Sequence, residues 1–283
     1  MKNYDNSCSK SEKTKKLKPS EKSVLRHFFQ MNNDPYMLKV LLHLIDVSAY
    51  AFVVLIYCAS KSNRFNEIVV PQTEIKRVTG FSISTIKSSF KLLEEYGFIY
   101  SERHQKCNKY YVNARFSWKN TSAAKNAGIA SGKVLINPII IPGYKMPKYD
   151  ENHFIQISTT AVVVDALSDI AKKCPTALKV LLVLVYNVNE INEYDTIRQE
   201  LANKANCSLR AVADSLNILK KKKILNTEKI VYYNKYILST DFCFKNKAKN
   251  IEKFGNRDKI QRSKSFDDGI DKILKERIEQ DKK

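Results

Sequence analysis

Ser82-Ile83-Ser84-Thr85-Ile86 and Ser208-Leu209-Arg210-Ala211-Val212 begin the same pattern twice, 126 residues apart. The first runs on to Leu93 and is followed by Gly97-Phe98-Ile99. The second runs on to Leu219 and is followed by Lys223-Ile224-Leu225. The offset holds upstream, where Ile75 matches Leu201 and Leu55 matches Leu181. It holds downstream too, where Lys109-Tyr110 matches Lys235-Tyr236. An ungapped spacing kept over that distance implies one supersecondary unit used twice.

Within the first copy, Pro35 starts a helical stretch with Asp34 as N-cap, and two helices are expected over 36–46 and 48–61. Gln72-Thr73-Glu74 opens a short helix that turns Ile75 and Val78 inward. Gly80 suits the tight turn after it, since a left-handed backbone costs glycine little. Ser82 is a natural N-cap. Ile83, Ile86, Phe90 and Leu93 follow at helical spacing as a core stripe. Gly97 ends that helix. Phe98 to Arg103 and Asn108 to Asn113 then alternate as two strands around His104-Gln105-Lys106-Cys107. The second copy reads alike: helices near 160–172, Ala177 to Asn187, Thr196 to Lys204 and Ser208 to Lys222, then strands Ile224 to Lys229 and Val231 to Leu238.

The expected fold class is therefore mainly α with small β-hairpin wings (α+β), arranged as two tandem winged helix-turn-helix domains. Their boundaries are 23–117 and 152–244. Residues 1–22, rich in Lys and Ser, read as a flexible basic tail. Residues 118–151 hold Gly128, Gly132 and Gly143 with Pro138, Pro142 and Pro147, and read as the linker. Its apolar segments Val134-Leu135-Ile136 and Ile139-Ile140-Ile141 are expected to dock on a domain. From 245 to 283 the chain is again basic, with an amphipathic helix expected over Asp268 to Gln280.

The 283 residues are enough for two small cores, and 49 Lys+Arg against 29 Asp+Glu leave a net charge of +20. That balance favours a polyanionic partner. The six cysteines contain no CxxC pair, which argues against zinc and disulfide frameworks and fits a reducing cytoplasm. The polar N-terminus carries no secretion signal. Val40 to Ala59 is interrupted by His43 and Asp46, and reads as a buried core helix, not a membrane span.

Enzymatic readings fare poorly. Gly128-Ile129-Ala130-Ser131-Gly132-Lys133-Val134 resembles a phosphate loop but is too short, and has Val134 where a hydroxyl must bind magnesium. No His-x-His pair or Gly-x-Ser-x-Gly elbow occurs. Neither a cofactor nor a metal is expected.

The inward stripe determines which side chains are left to read a nucleic acid. In the first copy these are Ser84, Thr85, Lys87, Ser88 and Lys91, with Arg103, Lys106 and Lys109 adding charge on the hairpin. In the second copy Arg210 is the best candidate for a base contact, because Arg binds guanine in bidentate fashion. Asn217 follows it, and Lys220-Lys221-Lys222-Lys223 form a phosphate-binding cluster. Asp214 on the same face opposes phosphate.

Gln72-Thr73-Glu74-Ile75 through Tyr110-Tyr111-Val112-Asn113 resembles the winged helix of small-plasmid replication initiators of the RepL type. The matching features are Thr79-Gly80-Phe81-Ser82, Leu93, Ile99 and Tyr110 to Asn113, with Ala114 where that family usually has proline. The resemblance implies sequence-specific binding of double-stranded DNA at origin repeats. Host replication proteins and a second copy of the chain (a homodimer) would be further partners, and no membrane is implied. A winged-helix transcriptional regulator and a protein-interaction scaffold are the alternative readings.

Overall fold

The computed structural model describes residues 28–104, 107–119, 122–134, 136–142 and 154–245. Strand β1 (Phe28–Asn32) leads into α1 (Pro35–Lys61), β2 (Glu67–Val69), α2 (Gln72–Thr79) and α3 (Ile83–Glu95). The hairpin of β3 (Ile99–His104) and β4 (Cys107–Val112) follows, then β5 (Ser117–Trp118) and α4 (Ser122–Ala130). The order then recurs as β6 (Phe154–Ser158), α5 (Ala161–Lys173), α6 (Pro175–Asn187), β7 (Glu193–Thr196), α7 (Arg198–Ala205) and α8 (Leu209–Lys221). Strands β8 (Leu225–Lys229), β9 (Asn234–Leu238) and β10 (Cys243–Phe244) close the second copy. The fold is mixed α+β with small antiparallel sheets.

The repeat extends further than the sequence reading suggests. Phe28 and Phe154, Glu67 and Glu193, and Ser117 and Cys243 begin matching strands, each pair 126 apart. The two helices expected over 36–61 join end to end as α1, with a kink at Ser48 (φ −158°, ψ 101°), whose hydroxyl accepts from Ala51 N at 3.1 Å and restarts the helix. Its counterpart Cys174 has almost the same backbone (φ −155°, ψ 78°) and separates α5 from α6. Three left-handed positions also coincide: Asn66 with Asn192 (φ 59° and 61°), Gly80 with Asn206 (63° and 47°), and Gly97 with Lys223 (75° and 56°).

The central sheet has the order β10-β6-β1-β5. Its middle ladder is antiparallel and pairs Phe28 with Ser158, Gln30 with Gln156 and Asn32 with Phe154. Gln30 and Gln156 are themselves 126 apart, so exchanging the two copies maps this ladder onto itself. The flanking pairs obey the same exchange: Gln30 with Trp118 and Met31 with Ser117 become Gln156 with Phe244 and Ile157 with Cys243. A local two-fold axis therefore passes between the two glutamines.

Around that axis lies the core. Every residue from Ala51 to Ser60, and from Ala177 to Tyr186, is buried. Apart from Ser60 and Lys179, both segments are apolar on all sides, as a central position requires. Helix α1 is long and apolar enough to cross a membrane by length and composition, but 67% of its most apolar window is buried inside the fold. Polar ties join the copies. Lys172 on α5 donates to Thr79 O at the end of α2 (3.0 Å), and Lys179 on α6 donates to Asp46 on α1 (2.8 Å) and, within its own copy, to Asn206 O (3.2 Å). Tyr186 donates to Asn32 O at 2.6 Å.

Several expected boundaries shift. Thr196, expected to start a helix, ends β7 opposite Asn234, and its hydroxyl donates to Glu200 at 2.6 Å in the first turn of α7. The strand expected from Val231 starts at Asn234, because Ile230 to Tyr233 form the turn, with Ile230 N donating to Tyr233 O at 2.9 Å. The stretch expected as linker contributes Trp118 to β5 and contains α4. Val134, Ile139 and Ile141 are buried, and Ile140 N donates to Tyr96 O at 3.1 Å. The basic tail over 1–22 and the helix expected over Asp268 to Gln280 lie outside the described residues.

Candidate nucleic-acid interface

Helices α3 and α8 occupy equivalent positions and begin in the same way. Ser82 Oγ accepts from Thr85 N at 3.1 Å, and Ser208 Oγ from Ala211 N at 3.2 Å. Each cap satisfies an amide that the first turn leaves without a partner. One stripe of each helix is then buried: Ile86, Ser89, Phe90 and Leu93 on α3, and Val212, Ser215, Leu216 and Leu219 on α8. Phe90 stacks on Tyr110 of β4 with ring centroids 4.1 Å apart, which fixes α3 against its hairpin.

The opposite face of α3 exposes Ser84, Lys87, Ser88 and Lys91. Thr85 is only half-exposed. Its Oγ1 shares a 2.8 Å hydrogen bond with Ser82 Oγ, and its carbonyl accepts from the Ser88 and Ser89 hydroxyls. Ser82 and Ser84 hydroxyls are also linked at 2.8 Å, so the first turn carries a connected hydroxyl group. Glu94 and Glu95 are exposed at the far end, which confines positive charge to the earlier turns of the helix. On α8 the exposed side chains are Leu209, Arg210, Asp214, Asn217, Lys220 and Lys221, and Lys223 lies just beyond.

Two expected contacts are engaged within the fold instead. Lys222 forms an ion pair with Asp169 on α5, which also holds Lys173 at 2.8 Å. Those two ammonium groups, Lys173 first, keep the Asp169 carboxyl below the usual carboxylate range. Lys222 is thus a structural tie, not part of an open lysine cluster. Lys109 donates to Glu67 on β2 at 2.9 Å and lies 4.8 Å from the Tyr111 ring centroid. The Glu67 carboxylate raises the Lys109 ammonium above its ordinary value, with a further contribution from Tyr111. Its counterpart Lys235 makes the same tie to Glu193 at 3.2 Å. Both lysines secure the third strand of a sheet.

Arg103 is exposed on β3, while Lys106 lies outside the described residues. Sequence reasoning missed Lys76 and Arg77, exposed cations on α2 in the turn before α3. It also missed the tip of the second hairpin, where Val231 and Tyr232 are 83% and 87% exposed. The available signal was a hairpin corner without Gly, Pro, Asn or Asp, the residues that usually form one. Among the described residues, no group of three His, Cys, Asp or Glu side chains is placed to hold a metal ion. Burial pushes the Cys58 and Cys243 thiols well above their ordinary value, as for small apolar core residues.

Neither a scan against protein-family models nor a search of curated proteins finds a match to this chain.

Proposed function

We propose that this chain is a non-enzymatic, sequence-specific double-stranded DNA-binding protein built from two winged helix-turn-helix units, and that it serves as a plasmid replication initiator in the cytoplasm. The observation that carries this reading is the pairing of α3 and α8 about the axis between Gln30 and Gln156. Each is a serine-capped helix with a buried stripe. Each turns a hydroxyl, amide or cationic face outward: Ser84, Lys87, Ser88 and Lys91 on one, Arg210, Asn217, Lys220 and Lys221 on the other. Such side chains read base edges and neutralise phosphates in the major groove.

On this reading, the axis presents two half-sites in inverted orientation to a single chain. Because the two faces differ in sequence, the half-sites differ too. An internal two-fold supplies the geometry that other DNA-binding proteins obtain by forming homodimers. The net charge of +20 supplies non-specific attraction.

The test is selection from a pool of random duplexes at two salt concentrations. A composite motif with two unlike, inverted halves that survives higher salt supports the reading. Binding without enrichment, lost as salt rises, would remove it. Maintenance of an origin-bearing plasmid only when this gene is supplied would then separate replication initiation from transcriptional regulation.

A further inference from the structure

Val231 and Tyr232 form the corner of the β8–β9 hairpin and are the most exposed large apolar side chains among the described residues. The turn beneath them is closed by the hydrogen bond from Ile230 N to Tyr233 O. Neither corner residue has positive φ, so the backbone does not select for them. At 83% and 87% exposure they pack on little else, so the core does not select for them either. In the 126-residue repeat of the sequence the matching positions hold the polar residues Gln105 and Lys106. The apolar pair is therefore particular to the second copy of the sequence repeat.

A single exposed hydrophobic residue is ordinary, but an adjacent aliphatic and aromatic pair on a projecting tip is a feature with a use. Its size limits what it can engage. One aromatic side chain buries about 150–250 Å², far below the roughly 800 Å² per partner of a stable protein interface. An apolar wedge of this size matches one base step in a widened minor groove, where inserted apolar side chains unstack the bases and kink the duplex. Exposed Lys229 at the end of β8 stands beside the corner, suitably placed for the flanking phosphates.

We infer that the Val231-Tyr232 tip is a minor-groove wedge that unstacks one base step, giving this chain a DNA-distorting activity confined to its second half. The inference rests on the duplex-binding reading above. It assigns the deformation of bases to the second hairpin.

The test uses the full chain and its selected duplex, with 2-aminopurine placed at successive positions. Wild-type protein should raise fluorescence several-fold at one step only. V231Q/Y232K, which installs the residues found at the matching positions of the sequence repeat, should keep duplex affinity within a few-fold while the signal falls to that of free DNA. V231S/Y232S should lose the signal equally without adding charge. Duplex binding with no unstacked step would overturn the wedge and leave the DNA-binding reading standing. Unchanged unstacking in both variants would overturn it too. So would unchanged unstacking with altered sedimentation, which would make the tip a contact between copies. Failure to bind any duplex would overturn both readings.

Discussion

Asn66 and Asn192 hold the same left-handed turn, at φ 59° and 61°, and send the same amide to equivalent carbonyls. Asn66 Nδ2 donates to Ser117 O and Asn192 Nδ2 to Cys243 O, each at 2.6 Å. Each amide thereby ties the turn before a short strand to an edge strand of the central sheet. Replacing either by Ala orphans a buried carbonyl and leaves a Cβ residue in the left-handed region. The expected loss is about 2–3 kcal/mol per site in urea unfolding. Asn66→Gly should recover the backbone share alone, which separates conformation from hydrogen bonding.

Gly97 and Lys223 share a backbone position but not a neighbourhood. A Cβ at Gly97 would lie 2.6 Å from Pro138 O, where the segment before Ile139 crosses the end of α3. Gly97→Ala should therefore cost more than the roughly 1–2 kcal/mol of a left-handed residue. Lys223→Gly should leave stability within about 1 kcal/mol of wild type, since relief of the left-handed backbone offsets the greater entropy of the unfolded chain. Paired thermal melts compare the two, and a loss at Gly97→Ala no larger than that of a left-handed residue alone would show that the Pro138 contact adds nothing.

Glu200 is held at about 2 by the Thr196 hydroxyl first, then by the Lys204 ammonium and the Tyr194 hydroxyl. A carboxyl with a lowered folded-state value stabilises the fold above its ordinary value of 4.5 and loses that contribution as pH falls toward about 2. Its effect on stability should be flat at neutral pH and appear only in that acid window. Thr196→Val should move the carboxyl's NMR titration upward and shrink the stability lost on acidification. An unchanged titration midpoint would discount the hydroxyl.

DNA binding should separate the lysines by their partners. Arg210→Ala should cost about 1–3 kcal/mol of specific affinity and relax the base preference in one half-site. Lys220→Ala and Lys221→Ala should each flatten the log–log salt dependence by roughly 0.9 while sparing sequence preference. Lys222→Ala and Lys109→Ala, whose ammonium groups are occupied by Asp169 and Glu67, should lower stability and leave the salt slope nearly unchanged. A full slope change from Lys222→Ala would show that its ion pair opens on DNA.

What the sequence determined is what local spacing controls. Ser82 and Ser208 as caps, the stripes ending at Leu93 and Leu219, and the alternation around the first hairpin all follow from interactions within a few residues. The 126-residue offset likewise needed only the letters. Tertiary structure decided the rest, because it brings together residues that no local window contains. Phe28–Asn32 becomes a strand only by pairing with Phe154–Ser158, so neither that ladder nor the axis through Gln30 and Gln156 was legible beforehand. Nor could periodicity show that Asp169 would meet Lys222, or that Val231 and Tyr232 would stand clear of the core. A side chain's exposed position is set by its own helix or turn, but whether its charge is already neutralised depends on what the fold sets opposite it.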